Sequence, residues 1–552
     1  MRDWWKTRRP GMSNQHYDAI VIGSGLGGLT AGALYAQQGK RVLVIERHDK
    51  FGGAATVYNR KHLDIEVGLH ELCGFGHLDL LPQVWHQLKL DKRVERLPVP
   101  TFFAVKKSGS PQQQVMPEGW NEAKAAALRL FPTQKRGILR YFQILHEIRS
   151  NIFNFVNAKK TKWWWLRNGP IMPLKFRAMF KYNKMTVSQL FQDLFGDDED
   201  IKFYLAANIG YYSDRPQELS ALFYAIAQGS YHEGGGYYIK GGSQKLSDAL
   251  VDIIKENGGE ALIRRTVTEI LLDEHGRVQG VTHEKNLTIG KRRDPKDKLP
   301  RSDYAPLVFG NAAPNILQAM LPKDKQAAFM QPYEGRPLSP ALWVLFVGMD
   351  RDPREFGVTD YATFVIPEHC KNFNDYANFK TAFAELPGQT MPGYVFTDYS
   401  KLDTGLNTKS RHFAVLCGID DMDNWQHLSE EDYYAKKAAW EKALLNDLDR
   451  QFPGLGQHIV FHEMGTARTM NEYLNTPSGA TYGFAQNAPF IQSKPPTTRT
   501  SVPGLFLASA FGSHGGGFVG AILSGANAAK QAQKWEARQP SPATITAAPQ
   551  AV

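Results

Sequence analysis

Residues 17–46 read YDAIVIGSGLGGLTAGALYAQQGKRVLVIE, and the fold turns on this stretch. Asp18 to Ile22 is a short apolar run of strand type, and Gly23-x-Gly25-x-x-Gly28 supplies a turn. Leu29 to Gln38 has helical composition, and Arg41 to Ile45 makes a second strand that ends on Glu46. Each glycine has its own role, since Gly23 permits the tight turn, Gly25 lets backbone approach a pyrophosphate, and Gly28 lets helix pack on strand. The loop Gly23-Ser24-Gly25 then leads to a helix N-terminus, whose unpaired N–H groups and positive dipole end face the phosphates. Glu46 is placed to accept from a ribose hydroxyl, and an acid there disfavours a 2′-phosphate. A glycine-rich turn alone would say little; strand, turn, helix, strand and acid in that order specify a dinucleotide-binding unit.

The rest of the chain bounds what that unit serves. With 552 residues the protein is too long for one simple core and calls for two or three domains, interleaved in sequence if need be. The net charge of +10 favours an anionic partner surface without separating nucleic acid from phospholipid. Cys73, Cys370 and Cys417 are widely spaced and in no metal-ligand pattern, so neither a disulfide framework nor a metal site is expected, which fits a reducing, cytoplasmic compartment. Two apolar stretches, near 19–36 and 504–529, approach transmembrane length, but glycine clusters break both.

The residues just after Glu46 separate FAD from NAD. Arg47 and then Phe51-Gly52-Gly53-Ala54-Ala55 form a second glycine pair close behind the ribose acid. This resembles the extended motif of the large FAD-binding family that includes amine oxidases and carotenoid desaturases. GGGYYIKGGSQKLSDALVDIIKENGGE at 234–260 and the adjoining ALIRRTVTEILLDEHGRVQGV add an amphipathic helix, a glycine stop at Asn257-Gly258-Gly259 and a strand pair. TSVPGLFLASAFGSHGGGFVGAILSGANAAKQA at 500–532 adds a last strand, glycine turn and helix.

The narrower resemblance is to the FAD-dependent phytoene desaturase, carotene isomerase and retinol saturase family. It rests on GGAATVYNRKHLDIEVGLHELCGFG at 52–76, Lys240-Gly241-Gly242, LVFGNAAP at 307–314, GTARTMNEYLNTPSGATYGFAQ at 465–486 and the terminal segment. The resemblance implies an α/β fold in which a Rossmann-like FAD-binding domain of the amine-oxidase/GDI-like superfamily is interleaved with an α+β substrate domain. It implies FAD contacts from Gly23, Ser24, Gly25, Gly28, Glu46, Arg47, Gly53 and Ala54, with Val267 at the adenine. Gly517, Phe518 and Val519 lie in the closing segment, whose backbone is expected against the flavin ring. One departure stands out: ASAFGSHGG at 508–516 has no acid where relatives often place one near the pyrophosphate, leaving that contact to backbone N–H groups. The expected cofactor domain takes 14–85, 236–315 and 455–535, and the substrate domain 86–235 and 316–454. Residues 1–13 form a basic, aromatic extension without a signal peptide's apolar core, and the Pro-, Ala- and Thr-rich tail 536–552 is expected to be disordered.

The implied function is oxidoreduction or redox-assisted isomerisation at carbon–carbon double bonds of a lipophilic polyene, with an electron partner of unspecified kind. Alternatives on the same fold are a flavin amine oxidase and a non-enzymatic lipid or prenyl carrier. The resemblance puts His70 beside the flavin ring, where it is a candidate to move a proton; the plain alternative is a structural histidine. His462, Glu463 and Arg468 flank another matched segment. KKTKWWWLRNGPIMPLKFRAMFKYNKM at 159–185 carries eight Lys or Arg, three adjacent tryptophans and no acid. Residues 151–185 therefore suit a peripheral dock on anionic membrane, divided by prolines into at most two short helices. Two other readings stay open: tryptophans in a core with solvated bases, and a nucleic-acid groove, which nothing else in the chain supports.

Overall fold

The structure, a computed structural model, describes residues 16–60, 63–286, 299–388, 390–409, 411–489 and 496–539. The extension 1–13 and the tail beyond 539 lie outside the described residues; Glu536, expected in the tail, is the last residue of a helix.

Strands Ala19–Ile22 and Val42–Ile45 pair in parallel at the centre of a five-stranded sheet. The order is Leu505–Leu507, Val308–Gly310, Ala19–Ile22, Val42–Ile45, Glu260–Leu262, and every pairing is parallel. Both faces are covered, so the strands read as unbroken apolar runs instead of alternating with polar residues. Ala19, Val21, Val42 and Val44 face helices Leu26–Ala36, Ser243–Glu256 and Gly517–Glu536. Ile20, Ile22, Leu43 and Ile45 face an antiparallel sheet of Arg265–Leu272, Val278–Lys285 and Arg301–Tyr304. Helix Leu26–Ala36 is buried on all sides and crosses helix Gly517–Glu536 at two glycines. A Cβ on Gly27 would lie 2.0 Å from the Ala508 carbonyl oxygen, and one on Gly525 2.1 Å from that of Gly27.

A second, seven-stranded sheet runs Ile459–Gly465, Ala341–Met349, His412–Asp420, Tyr394–Asp398, Ala362–Ile366, Phe103–Lys107, Gln113–Met116. All its pairings are antiparallel except Ala362–Ile366 with Phe103–Lys107. The strand Ile459–Gly465 thus pairs with Ala341–Met349, although the sequence stretch from 455 was expected to belong to the cofactor domain. Trp343, Leu345, Val347 and Leu416 pack on helix Glu430–Gln451 through Trp440, Leu444 and Leu448. The opposite face presents Val344, Phe346, Phe364, Val395, Val415 and Cys417 towards the interior. A layer of helices closes that interior, with Lys135–Asn157 against Ala221–Gly234 and the Tyr141 and Tyr224 hydroxyls 2.8 Å apart.

Residues 159–185 are not two helices. They form Lys162–Asn168, a single turn Gly169–Ile171, Met172–Lys175 and Arg177–Tyr182, with Gly169-Pro170 and Pro173 at the first two breaks and Phe176 at the third. Trp163 is 81% and Trp165 46% exposed, and Leu166, Leu174 and Phe180 are each about 70% exposed, so the reading of the tryptophans as core fails, although Ala178 and Tyr182 are buried. No described helix is long and apolar enough to cross a membrane.

Candidate functional site

The dinucleotide cradle begins where strand Ala19–Ile22 ends. Gly23 has φ +84°, which only glycine adopts without strain, and its N–H donates to the Ile45 carbonyl at 2.9 Å. Helix Leu26–Ala36 starts three residues before the expected Leu29, with Gly25 as its N-cap. That cap has no side chain to satisfy the first N–H groups, and the first turn holds no acid, so the N-terminus is left for an anion. Gly52 N–H donates to the Ser24 carbonyl at 3.0 Å and Gly53 comes next at φ +61°, laying the second glycine pair on the first.

Glu46 is 5% exposed and held in place: its Oε2 accepts from Ser24 N–H at 2.8 Å and Ser24 Oγ–H at 2.6 Å, and its Oε1 from His48 N–H at 2.8 Å. The carboxylate therefore braces the glycine loop as well as ending the strand. Asn311, which sequence reasoning passed over inside LVFGNAAP, closes the loop from behind. Its N–H donates to the Ile22 carbonyl at 2.9 Å, and Cβ atoms on Gly25 and Gly28 would lie 2.7 Å from its Nδ2 and 2.6 Å from its Cβ. The signal available was a second strand-turn-helix, Val308–Gly310 then Pro314–Ala319, with Pro314 at the first helical position.

One cavity of about 740 Å³ runs from this cradle into the interior. Gly23, Ser24, Gly25, Glu46, Arg47, Gly53, Ala54, Val267, Gly517, Phe518 and Val519 line it, and so does His70. Gly28 does not; it sits beneath, against Val21 and Asn311. Helix Gly517–Glu536, capped by Gly516 with no side-chain bond and no acid in its first turn, brings a second open N-terminus to the wall. That end presents unbonded backbone N–H groups just after ASAFGSHGG, the segment that lacks an acid. The residues present fit an adenine dinucleotide: two uncapped helix starts for the pyrophosphate, a buried acid for a ribose, and an apolar Val267 end for the adenine.

Beyond the cradle the wall turns apolar and aromatic, with Phe364, Tyr376, Phe379, Val395, Cys417 and Ile419 from the seven-stranded sheet and its neighbours. At another part of the same cavity Leu80, Leu81, Ile152, Phe153 and Val156 form the wall, and Val156 is 45% exposed. Its neighbour Phe155 packs on Trp164, Trp165 and Phe176 with ring centroids 5.8, 6.4 and 5.4 Å apart. The cavity therefore reaches the helix end from which the basic, tryptophan-rich segment departs.

His70 is turned towards Tyr211, its Nδ1 3.4 Å from the hydroxyl, and its own carbonyl accepts from Tyr361 Oη–H at 2.6 Å. Burial pulls its pKa down to about 4, so the ring is neutral at neutral pH. His462, Glu463 and Arg468 are not brought to the cavity. His462 pairs with Glu441 at 2.8 Å, Glu463 with Arg60 at 3.2 Å, and Arg468 with Glu430 and Glu472, all on the outer side.

Residues 21–88, which hold the cradle, match the NAD(P)-binding Rossmann-like domain family. Most of the chain aligns with an all-trans-retinol 13,14-reductase of Danio rerio at 23% identity, covering 89% of this chain and 82% of that one. It aligns with a chloroplastic prolycopene isomerase of Daucus carota at 25% identity, covering 93% of this chain and 79% of that one. The chain is a homologue of carotene isomerases and retinol saturases. Its fold is that of the amine oxidases: the cyclohexylamine oxidase of Brevibacterium oxydans superposes with a TM-score of 0.56 at 15% identity, over 95% of this chain and 100% of that one. The Rossmann-like unit, the second glycine pair and the interleaved sheets agree with what the sequence resemblance implied for the fold.

Proposed function

We propose that the protein is an FAD-dependent oxidoreductase that acts on carbon–carbon double bonds of a lipophilic polyene, a carotenoid or retinoid, which it takes from a membrane surface. The observation that carries this reading is the single cavity that joins the glycine cradle to an aromatic interior and reaches Val156 beside the exposed tryptophan segment. Support for the substrate class comes from the relatives, whose names specify retinol and prolycopene.

The chain's own residues would hold FAD as the site suggests: the open helix starts at Leu26 and Gly517 on the pyrophosphate, Glu46 on a ribose hydroxyl, Val267 against the adenine. Bound there, a flavin supplies hydride exchange with carbon. The protein's part is to orient the polyene and exclude water, and the buried rings of Phe364, Tyr376 and Phe379 do both. Residues 151–185 dock on anionic lipid and border the entrance, so the polyene passes from bilayer to cavity without crossing water. The protein thus belongs at the cytoplasmic face of a membrane, attached peripherally.

The test is incubation of purified protein with vesicle-borne carotenoids and retinoids, with chromatography of the extracted lipids. Appearance of saturated, desaturated or isomerised product, dependent on bound FAD, supports the reading; an unchanged polyene panel refutes it.

A further inference from the structure

Glu71 stands out among the cavity residues. It lines the cavity, its Oε2 is buried, and that oxygen has no hydrogen-bond partner in the protein. Buried carboxyl oxygens are ordinarily bonded, and an exception calls for a physical reason. Room for this one is made by Gly236, where a Cβ would come 2.3 Å from Oε2. Glu118 flanks the same loop, its Oε1 accepting from Gly236 N–H at 2.8 Å. Cys73, Tyr211, Tyr212 and Tyr231 share the cavity wall with Glu71.

These neighbours decide which group can give a proton. Burial, and after it the charge of Glu118, raises the Glu71 carboxyl well above the usual carboxylate range, which favours its protonated form. Burial pushes the Cys73 thiol up to about 12 and the hydroxyls of Tyr211, Tyr212 and Tyr231 well above 10, which makes them poorer donors. His70 is neutral. Asp79, also on the wall, is committed to Arg149 at 2.8 Å and to the Gly76 N–H at 2.8 Å.

We propose that Glu71 is the proton donor of this site. The inference rests on the polyene reading above and deepens it. Adding two hydrogens across a double bond requires a proton on one carbon and a hydride on the other. The Glu71 O–H bond would break as the C–H bond forms, a reduced flavin held in the cradle would supply the hydride, and solvent entering after product leaves would reprotonate the carboxylate. A buried acid with no competing hydrogen-bond partner is suited to giving that proton.

The experiment compares the parent with Glu71→Gln, which keeps shape and neutrality, and Glu71→Asp, which keeps the acid but draws it back. Infrared spectra of the resting proteins at neutral pH are expected to show a protonated carboxylic-acid carbonyl band that Glu71→Gln lacks. Turnover is expected to fall roughly 10²–10⁴-fold in Glu71→Gln, with partial return in Glu71→Asp and unchanged FAD content in both. Equal turnover in Glu71→Gln, or a carboxylate found ionised at neutral pH, overturns the role of Glu71 alone. A parent that converts no polyene overturns the reaction class and the role together.

Discussion

Replacing Trp163 by Ser separates a membrane dock from an ordinary surface. Trp163 is 81% exposed and makes no ring contact with Phe155, whereas Trp164 and Trp165 do, so its loss leaves the packing of the segment intact. With roughly 200 Å² of ring surface, 81% of it exposed, at about 25 cal/mol per Å², full transfer to an apolar medium is worth ~4 kcal/mol. Seating at headgroup depth covers about half of that, leaving ~2 kcal/mol, or roughly 30-fold in vesicle affinity. The eight bases of 159–185 add about 1 kcal/mol each near an anionic surface, a contribution that shrinks as the Debye length falls from about 10 Å at 0.1 M salt to about 3 Å at 1 M. Sedimentation with vesicles containing phosphatidylserine, from low to high salt, measures both parts. The parent is expected to lose affinity with salt but keep a remainder that salt does not remove, and Trp163→Ser is expected to lower that remainder roughly 30-fold with FAD content unchanged. Parent binding abolished by salt, or a folded Trp163→Ser that binds as the parent does, would refute the reasoning.

Three further outcomes concern the site and its surroundings. Gly25→Ala puts a Cβ 2.7 Å from Asn311 Nδ2; FAD retention on gel filtration is expected to drop sharply, and Asn311→Ala in the same chain to restore part of it. Glu46→Ala removes a charge-assisted ribose bond worth about 1.5–3 kcal/mol and also frees Ser24, so FAD affinity by titration is expected to weaken at least 10-fold; unchanged affinity sinks the ribose assignment. His232, 3% exposed, has its pKa lowered from 6.5 to about 3 by burial. The folded state then binds fewer protons than the unfolded chain, so stability is full above pH ~6.5 and falls as pH drops towards ~3, by at most on the order of 4–5 kcal/mol. Urea unfolding between pH 7 and pH 4 is expected to show a shallower acid loss in His232→Gln.

The cradle was legible because its information is local. Gly23, Gly25, Gly28 and Glu46 sit at fixed spacings within one βαβ unit, and physical chemistry gives each a role without reference to distant residues. The helix start at Leu26 instead of Leu29 was missed because Gly25 caps by omission, offering no side-chain signal. Asn311 was hidden for a different reason: it meets the glycine loop only through the parallel pairing of Val308–Gly310 with Ala19–Ile22, a contact across nearly three hundred residues. The same holds for Ile459–Gly465, whose sequence names a strand but not the sheet that accepts it. Glu71 sat one residue from the histidine chosen as proton carrier, and composition could not say that its carboxyl would lack a hydrogen-bond partner. At 159–185 the chemistry was legible and the geometry was not, since whether three tryptophans face inward or outward depends on the helix they pack against.

The most direct test of the account is an anaerobic mixing experiment in which FAD absorbance is monitored as vesicle-borne polyenes are added to the oxidised and to the pre-reduced protein. The account predicts a polyene-dependent response: bleaching for desaturation, recovery of colour in pre-reduced protein for saturation, or altered polyene with no net flavin change for isomerisation. A flavin indifferent to every polyene, with no polyene altered, but bleached by a primary amine would contradict it.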